Sequence, residues 1–267
     1  MTTQPLRRCL LESVHGAGRI LLAHFGRIAQ ARRKENRASV VCEADLAAER
    51  FVIERIRRQF PAHGIIAEES GYQPGDGEFT WVIDPLDGTS NFVAGIPWFG
   101  AQIAVLRGNT PLLGAMYLPG SNTLYFAETG RGAFRNRERV RVTAERKLEN
   151  VLCAFGMDAT GGRRELLANA KLMLRVASAV RNVRTTNSLV DFCYTVDGRL
   201  GGCINLHTKI WDIVPGWLAL REAGGTMTGL DGSPITFDLS RQRFDHNYAI
   251  LGAGKTLHRP LVRLCTA

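Results

Sequence analysis

The chain has 267 residues, of which 45% are hydrophobic and 22% charged, with a formal net charge of +9. A chain of this length and make-up buries a full core without disulfides or a structural metal, so any metal it holds is expected to be functional rather than structural. No apolar run approaches membrane-spanning length, and the six cysteines form no C-x-x-C pair, so zinc-ribbon and thioredoxin-like readings find no support.

Leu6, Leu10, Val14, Ala17, Leu21 and Phe25 recur at three- and four-residue spacing, which predicts an amphipathic helix. A polar stretch, 30–37, follows. A second helix is expected from about Asp45, buried through Leu46, Ile53, Ile56 and Phe60 and stopped by Pro61. The runs 64–67 and 80–83 read as buried strands, each leading directly into acidic residues. Between 101 and 142 come short strands at 103–106, 112–118 and 123–127, then a hairpin around Asn136. Such crowding predicts a mostly antiparallel sheet.

After about residue 150 strands and helices alternate: strand 151–155, helix 165–180, a short strand near Val183, helix 188–196, strand 202–206, helix 213–222, strand 248–252 and a terminal helix. That pattern predicts an α/β layer. The expected division is an N-terminal α+β part, 1–145, carrying most of the acidic motifs, and a C-terminal α/β part, 146–267, supplying Asp212 and the residues that select the substrate.

Carboxylates gather at the ends of the apolar runs: Glu68 and Glu69 after 65–67, Asp84 and Asp87 after 81–83, Asp212 after Trp211, and Asp45 at the start of the second helix. Asp45 and Asp212 also suit helix N-caps, and Asp84 and Asp87 around Pro85 also suit a turn. Asp-Pro-Leu-Asp-Gly-Thr directly after a buried strand aims two carboxylates and a hydroxyl at one small volume. Crowded carboxylates stay ionised together only when cations neutralise them. Oxygen donors select magnesium, manganese or calcium, and with no histidine among them zinc is disfavoured. Backbone N–H groups at Gly88-Thr89-Ser90-Asn91, opening a helix, add an anion site beside the metals. Metals next to an anion site are what transfer of a phosphoryl group to water requires.

The segment 81–92 (WVIDPLDGTSNF) closely resembles the first signature of the inositol monophosphatase family, and 211–216 (WDIVPG) with 222–225 (EAGG) resembles the second. Glu68-Glu69-Ser70 and the stretch from Val41 to Asp45 match at the expected spacing. The resemblance covers nearly the whole chain. It implies a five-layered αβαβα sandwich of the inositol monophosphatase/fructose-1,6-bisphosphatase type, a homodimer, and inhibition by lithium at a metal site. It implies that Glu68, Asp84 and the Leu86 carbonyl hold a first Mg2+, that Asp84, Asp87 and Asp212 hold a second, and that Glu68 helps hold a third, Mn2+ being a substitute. Thr89 and Asp45 resemble the pair that orients and deprotonates the attacking water, and the Gly88 and Thr89 N–H groups resemble the phosphate cradle, with Ser90 beside them.

Three positions depart from the family pattern. Asn205 stands where inositol-cleaving members carry a glutamate that contacts substrate hydroxyls. Thr186-Asn187-Ser188, preceded by Arg184, replaces a run of small residues near the substrate. Cys42 stands where a threonine is common. Arg184 leads us to expect a second anionic group or a polar extension on the substrate. The expected function is therefore Mg2+-dependent hydrolysis of a small phosphate monoester, inositol monophosphate-like or a related sugar or polyol phosphate. Alternatives are a nucleotide bisphosphate, fructose 1,6-bisphosphate or histidinol phosphate, or a regulatory relative associated with RNA and the transcription machinery. The net charge permits the last, yet no RNA-binding motif accompanies it. His207 is expected to be structural, Trp98 and Phe99 to pack in the core or at a subunit interface, and 131–141 to form an exposed hairpin. A cytoplasmic protein with reduced thiols is the expected setting.

Overall fold

The computed structural model describes residues 3–27, 31–33, 40–158, 162–241 and 243–267; the side chains of 31–33 and 40–42 are outside the description, and with them the reading of Cys42. The polar stretch 30–37 lies largely outside the described residues.

Chain order begins with α1 (Gln4–His24), β1 (Ala31–Arg33), β2 (Val40–Cys42) and α2 (Glu43–Gln59). Then come β3 (Gly64–Ala67), β4 (Gly71–Gln73), β5 (Phe79–Asp87), α3 (Thr89–Val93), β6 (Gly100–Arg107), β7 (Thr110–Leu118), β8 (Thr123–Glu128), β9 (Gly132–Arg135) and β10 (Glu138–Val140). The remainder is β11 (Leu152–Gly156), α4 (Arg163–Ala179), β12 (Asn182–Arg184), α5 (Val190–Val196), β13 (Gly202–Thr208), α6 (Ile210–Glu222), β14 (Gly225–Gly229), β15 (Tyr248–Gly254) and α7 (Lys255–Thr266).

The first large sheet has the order β10-β9-β8-β7-β6-β5-β3-β4, antiparallel except where β3 runs parallel to β5. The second has the order β12-β11-β13-β15-β14 and mixes parallel and antiparallel pairs. Strand residues alternate between faces. Ile65, Trp81, Ile83, Ile103 and Ala115 point into the core shared with α1 and α2. Their neighbours Ile66, Val82, Ala104 and Met116 point into the core shared with α5 and α6. A sheet buried on both faces reads as unbroken apolar runs, which is why 64–67 and 80–83 carry no polar alternation. The helices α4 and α7 cover the far face of the second sheet through Val176, Leu172, Leu257 and Leu261. The order α1α2, sheet, α5α6, sheet, α4α7 is the αβαβα sandwich the sequence led us to expect.

The hairpin expected around Asn136 forms between β9 and β10, with Asn136 at φ 56°. Strands β4 and β14 escape the sequence because three to five half-polar residues at a sheet edge carry no period-2 signal. Phe99 is fully buried, whereas Trp98 is 45% exposed, so the two adjacent aromatics have different surroundings.

Candidate active site

The site is built around the end of β5. This strand pairs with β6 in regular register as far as Asp84 opposite Gln102, and the register then shifts so that Asp87 lies opposite Gly100. An irregularity of this kind re-aims side chains. Here two carboxylates three residues apart come to face one volume. The third arrives from the other sheet. Asp212 is not the N-cap of α6 but its third residue, and its Oδ2 accepts the Lys209 backbone N–H at 2.6 Å. One carboxylate oxygen each from Asp84, Asp87 and Asp212 lie within 4.8 Å of one another.

These three side chains, with Glu68, line a cavity of about 210 Å3. Also lining it are Leu86, Gly88, Thr89, Ser90 and Asn91 from the β5–α3 turn, and Gly156, Asp158, Asn187, Asn205 and His207 from the second sheet and the loops beside it. The turn is tight. Gly88 has φ 82°, and a Cβ there would lie 2.5 Å from the Trp98 carbonyl oxygen, so no other residue fits. Thr89 Oγ1 donates to the Leu86 carbonyl at 2.9 Å.

Burial and mutual repulsion hold the carboxylates out of their usual range. Desolvation first, then the charges of Glu68, Asp87, Asp212 and Asp45, push Asp84 well above an ordinary aspartate. Asp212 is raised by desolvation and by Glu68 and Asp87. Asp87 is pushed up to about 8, by desolvation above all, although the Leu189 N–H opposes the shift. Three acids that resist ionisation, all offering oxygen, are what a hard divalent cation relieves, and the donor set fits one.

A layer behind these groups was not legible as functional. Gln102 is fully buried on β6, and its Nε2 donates to Asp87 Oδ2 at 2.9 Å and Asp84 Oδ2 at 3.2 Å. Glu49 on α2 accepts the N–H groups of Glu69 and Ser70, both at 2.8 Å, which fixes the loop bearing Glu68. The one sequence signal for Gln102 is a lone amide inside an apolar strand; Glu49 has none. Asp45 is fully buried in the first turn of α2, not at its N-cap, and it is behind rather than on the cavity wall.

Of the residues expected to contact substrate, Gly88, Thr89, Ser90, Asn187, Asn205 and Asp212 line the cavity. Arg184 does not. It sits on the edge strand β12, exposed, with Nη1 donating to the Val183 carbonyl at 2.9 Å. An edge strand is covered on one side only, and nothing in the sequence distinguishes an edge position from a central one. His207 lines the cavity and places Nε2 3.1 Å from Glu165 Oε1 on α4.

Comparison with known proteins identifies the family. The model of the Inositol monophosphatase family matches residues 2–261. The chain is 34% identical over 218 residues to a fructose-1,6-bisphosphatase/inositol-1-monophosphatase of Thermotoga maritima, covering 80% of this chain and 81% of that protein. It is 30% identical over 267 residues to an inositol-1-monophosphatase of Mesorhizobium japonicum, covering 98% and 97%. The crystal structure of the extragenic suppressor protein suhB from Bartonella henselae superposes with a TM-score of 0.88 at 30% identity, covering 98% of both chains. With the family model spanning nearly every residue and the acidic cavity in place, this chain belongs to the inositol monophosphatase family, metal-dependent phosphatases that hydrolyse phosphoric monoesters.

Proposed function

We propose that this protein is a Mg2+-dependent phosphatase of small phosphate monoesters, acting by direct attack of water without a phosphoenzyme. The observation that carries this reading is the convergence of Asp84, Asp87 and Asp212 within 4.8 Å beside Glu68 and the 88–91 turn. Glu68, Asp84 and the Leu86 carbonyl would hold one ion, and Asp84, Asp87 and Asp212 a second. Glu68 would contribute to a third, with Mn2+ as a substitute. When bound, such ions supply an acidified water and charge neutralisation for the phosphate and the departing alkoxide.

The chain's own groups do the rest. The N–H groups of Gly88 and Thr89 and the Ser90 side chain hold phosphate oxygens at the turn. Thr89 Oγ1, already committed as donor to the Leu86 carbonyl, keeps a lone pair free to orient water. Asp45, close enough for its charge to raise Asp84, accepts the proton relayed from that water. Asn187 and Asn205 meet the leaving group. On this reading residues 1–145 carry most of the metal-holding groups, while 146–267 contribute Asp212 and the leaving-group end.

The test is a panel of phosphate esters with Mg2+, repeated with lithium and with Asp84→Asn. The expected result is turnover in Mg2+, inhibition by lithium, and loss of at least about a thousandfold in Asp84→Asn, the scale of removing a central electrostatic group. Near-normal turnover by Asp84→Asn would reject the assignment. Thermal unfolding gives an independent readout: at a hundredfold excess over its dissociation constant, Mg2+ should add about 2.7 kcal/mol of stability, and the gain should vanish in the variant.

A further inference from the structure

Beyond the metal cluster the cavity has a second end with its own chemistry. It is lined by Asp158, Asn187, Asn205 and His207. Asp158 is the one carboxylate on the cavity wall, among the described residues, that stands outside the acidic cluster of Glu68, Asp84, Asp87 and Asp212. No lysine or arginine lines the wall among the described residues.

This end is built rather than incidental. Asn187, in a left-handed conformation at φ 50°, clamps the end of β11: its Oδ1 accepts the Met157 N–H at 3.1 Å and its Nδ2 donates to Asp158 Oδ1. The bond to Asn187 takes one Asp158 oxygen, and the residue lines the cavity. Gly156 permits the arrangement, because a Cβ there would overlap Asn205 Oδ1. The imidazole of His207 does not supply a spare cation. Its Nε2 is placed against Glu165, and Asp158 itself is raised, above all by burial, with His207 and the Asn187 bond opposing the shift. The basic residues at the start of α4, Arg163 and Arg164, line a separate surface hollow.

We propose that Asp158 is a specificity-determining residue that selects a leaving group bearing a protonated nitrogen and rejects one bearing a second phosphate. The inference rests on the phosphatase reading above and names the substrate class for that same site. A second phosphate at this end would meet the Asp158 carboxylate, with no lysine or arginine on the wall among the described residues to offset the repulsion. An ammonium or imidazolium there would pair with the carboxylate. Asn187 and Asn205 serve hydroxyls on the same leaving group without adding charge. The long-range field of the +9 chain still draws in the phosphate itself. Exposed Arg184, which does not line this cavity, does not offset the balance.

The experiment compares kcat/KM in Mg2+ for three probes of similar size: O-phosphoethanolamine, 2-hydroxyethyl phosphate and ethylene glycol bisphosphate. Wild type is expected to prefer the ammonium ester over the neutral one by about tenfold or more and to use the bisphosphate least. In Asp158→Asn the ammonium-to-neutral ratio should fall to near unity, and the penalty on the bisphosphate should shrink. An identical ratio in wild type and variant, or a wild-type preference for the bisphosphate, overturns the proposal while leaving the phosphatase reading intact. No turnover of any ester overturns both. Should Asp158→Asn fail to fold, Asp158→Ser replaces it. Should that also fail, the wild-type ratio decides, and a value below about two counts against the assignment.

Discussion

The backbone N–H of Leu189 donates to Oδ1 of Asp87 at 2.6 Å, joining residues 102 positions apart and tying the start of α5 to the acidic cluster at the end of β5. One carboxylate thus serves both the site and the junction between the two sheets. The two roles separate by substitution. Asp87→Asn keeps an acceptor oxygen and removes one of the crowded charges. Asp87→Ala leaves the Leu189 N–H without its partner, at about 1–3 kcal/mol. Both variants should lose turnover by orders of magnitude. In chelator, thermal melts should place Asp87→Asn at or above wild type and Asp87→Ala below it; equal melting points for the two would refute the dual role.

Gln102 donates to Oδ2 of both Asp84 and Asp87, fixing the orientation of the two carboxylates. Groups that orient metal ligands typically govern affinity by 10–100-fold. Gln102→Leu fills nearly the same volume and removes both bonds. Calorimetry should show Mg2+ binding weakened by roughly tenfold or more, with the melting point without metal little changed.

Asp191 is fully buried on α5, with Oδ1 accepting from Thr186 Oγ1 at 2.7 Å and no partner for Oδ2 among the described residues. Burial pushes it up to about 7, although the Thr186 bond opposes the shift. An aspartate in the unfolded chain gives up its proton near pH 4. Between about pH 4 and 7 the folded state therefore holds a proton that the unfolded state has lost, so this group lowers stability as pH rises through that window and adds no further slope above it. Asp191→Asn removes the ionisation. Its stability relative to wild type should grow between pH 5 and 8, on the order of 2–4 kcal/mol. Denaturant melts across that range would refute the assignment if the difference stayed constant.

Gly156 lets the Asn205 amide close over the end of β11. Gly156→Ala forces that amide aside. The amide is the far end of a flexible side chain, so the displacement costs little stability. Steady-state kinetics should show KM rising more than kcat falls, since the acidic cluster is untouched; an unchanged KM would remove Asn205 from the leaving-group contacts.

The acidic chemistry was legible because the carboxylates of Asp84 and Asp87 follow an unbroken apolar strand, and a strand end is a place where sequence position and spatial position coincide. The alternating strands and helices after residue 150 were legible for the same reason: the period of the apolar residues is a local property. The edge strands β4 and β14 were not, since half-exposed short strands have no such period. Arg184 illustrates the limit at a single residue. Its place in the sequence, two residues from Thr186 and three from Asn187, put it beside the substrate. The structure puts it on an edge strand, with its guanidinium turned to its own backbone.

The sequence by itself determined the kinds of element, the oxygen-only donor set and membership in a phosphatase family, because hydrophobic period and motif spacing are written along the chain. Only the tertiary structure decided that Gln102 and Glu49 stand behind the site, that Asp191 is buried against Thr186, that Arg184 is absent from the cavity wall, and that Asp158 is on it. The physical reason is that burial and pairing depend on what lies across the sheet, and those neighbours lie tens of residues away in the chain, as Asp87 and Leu189 do.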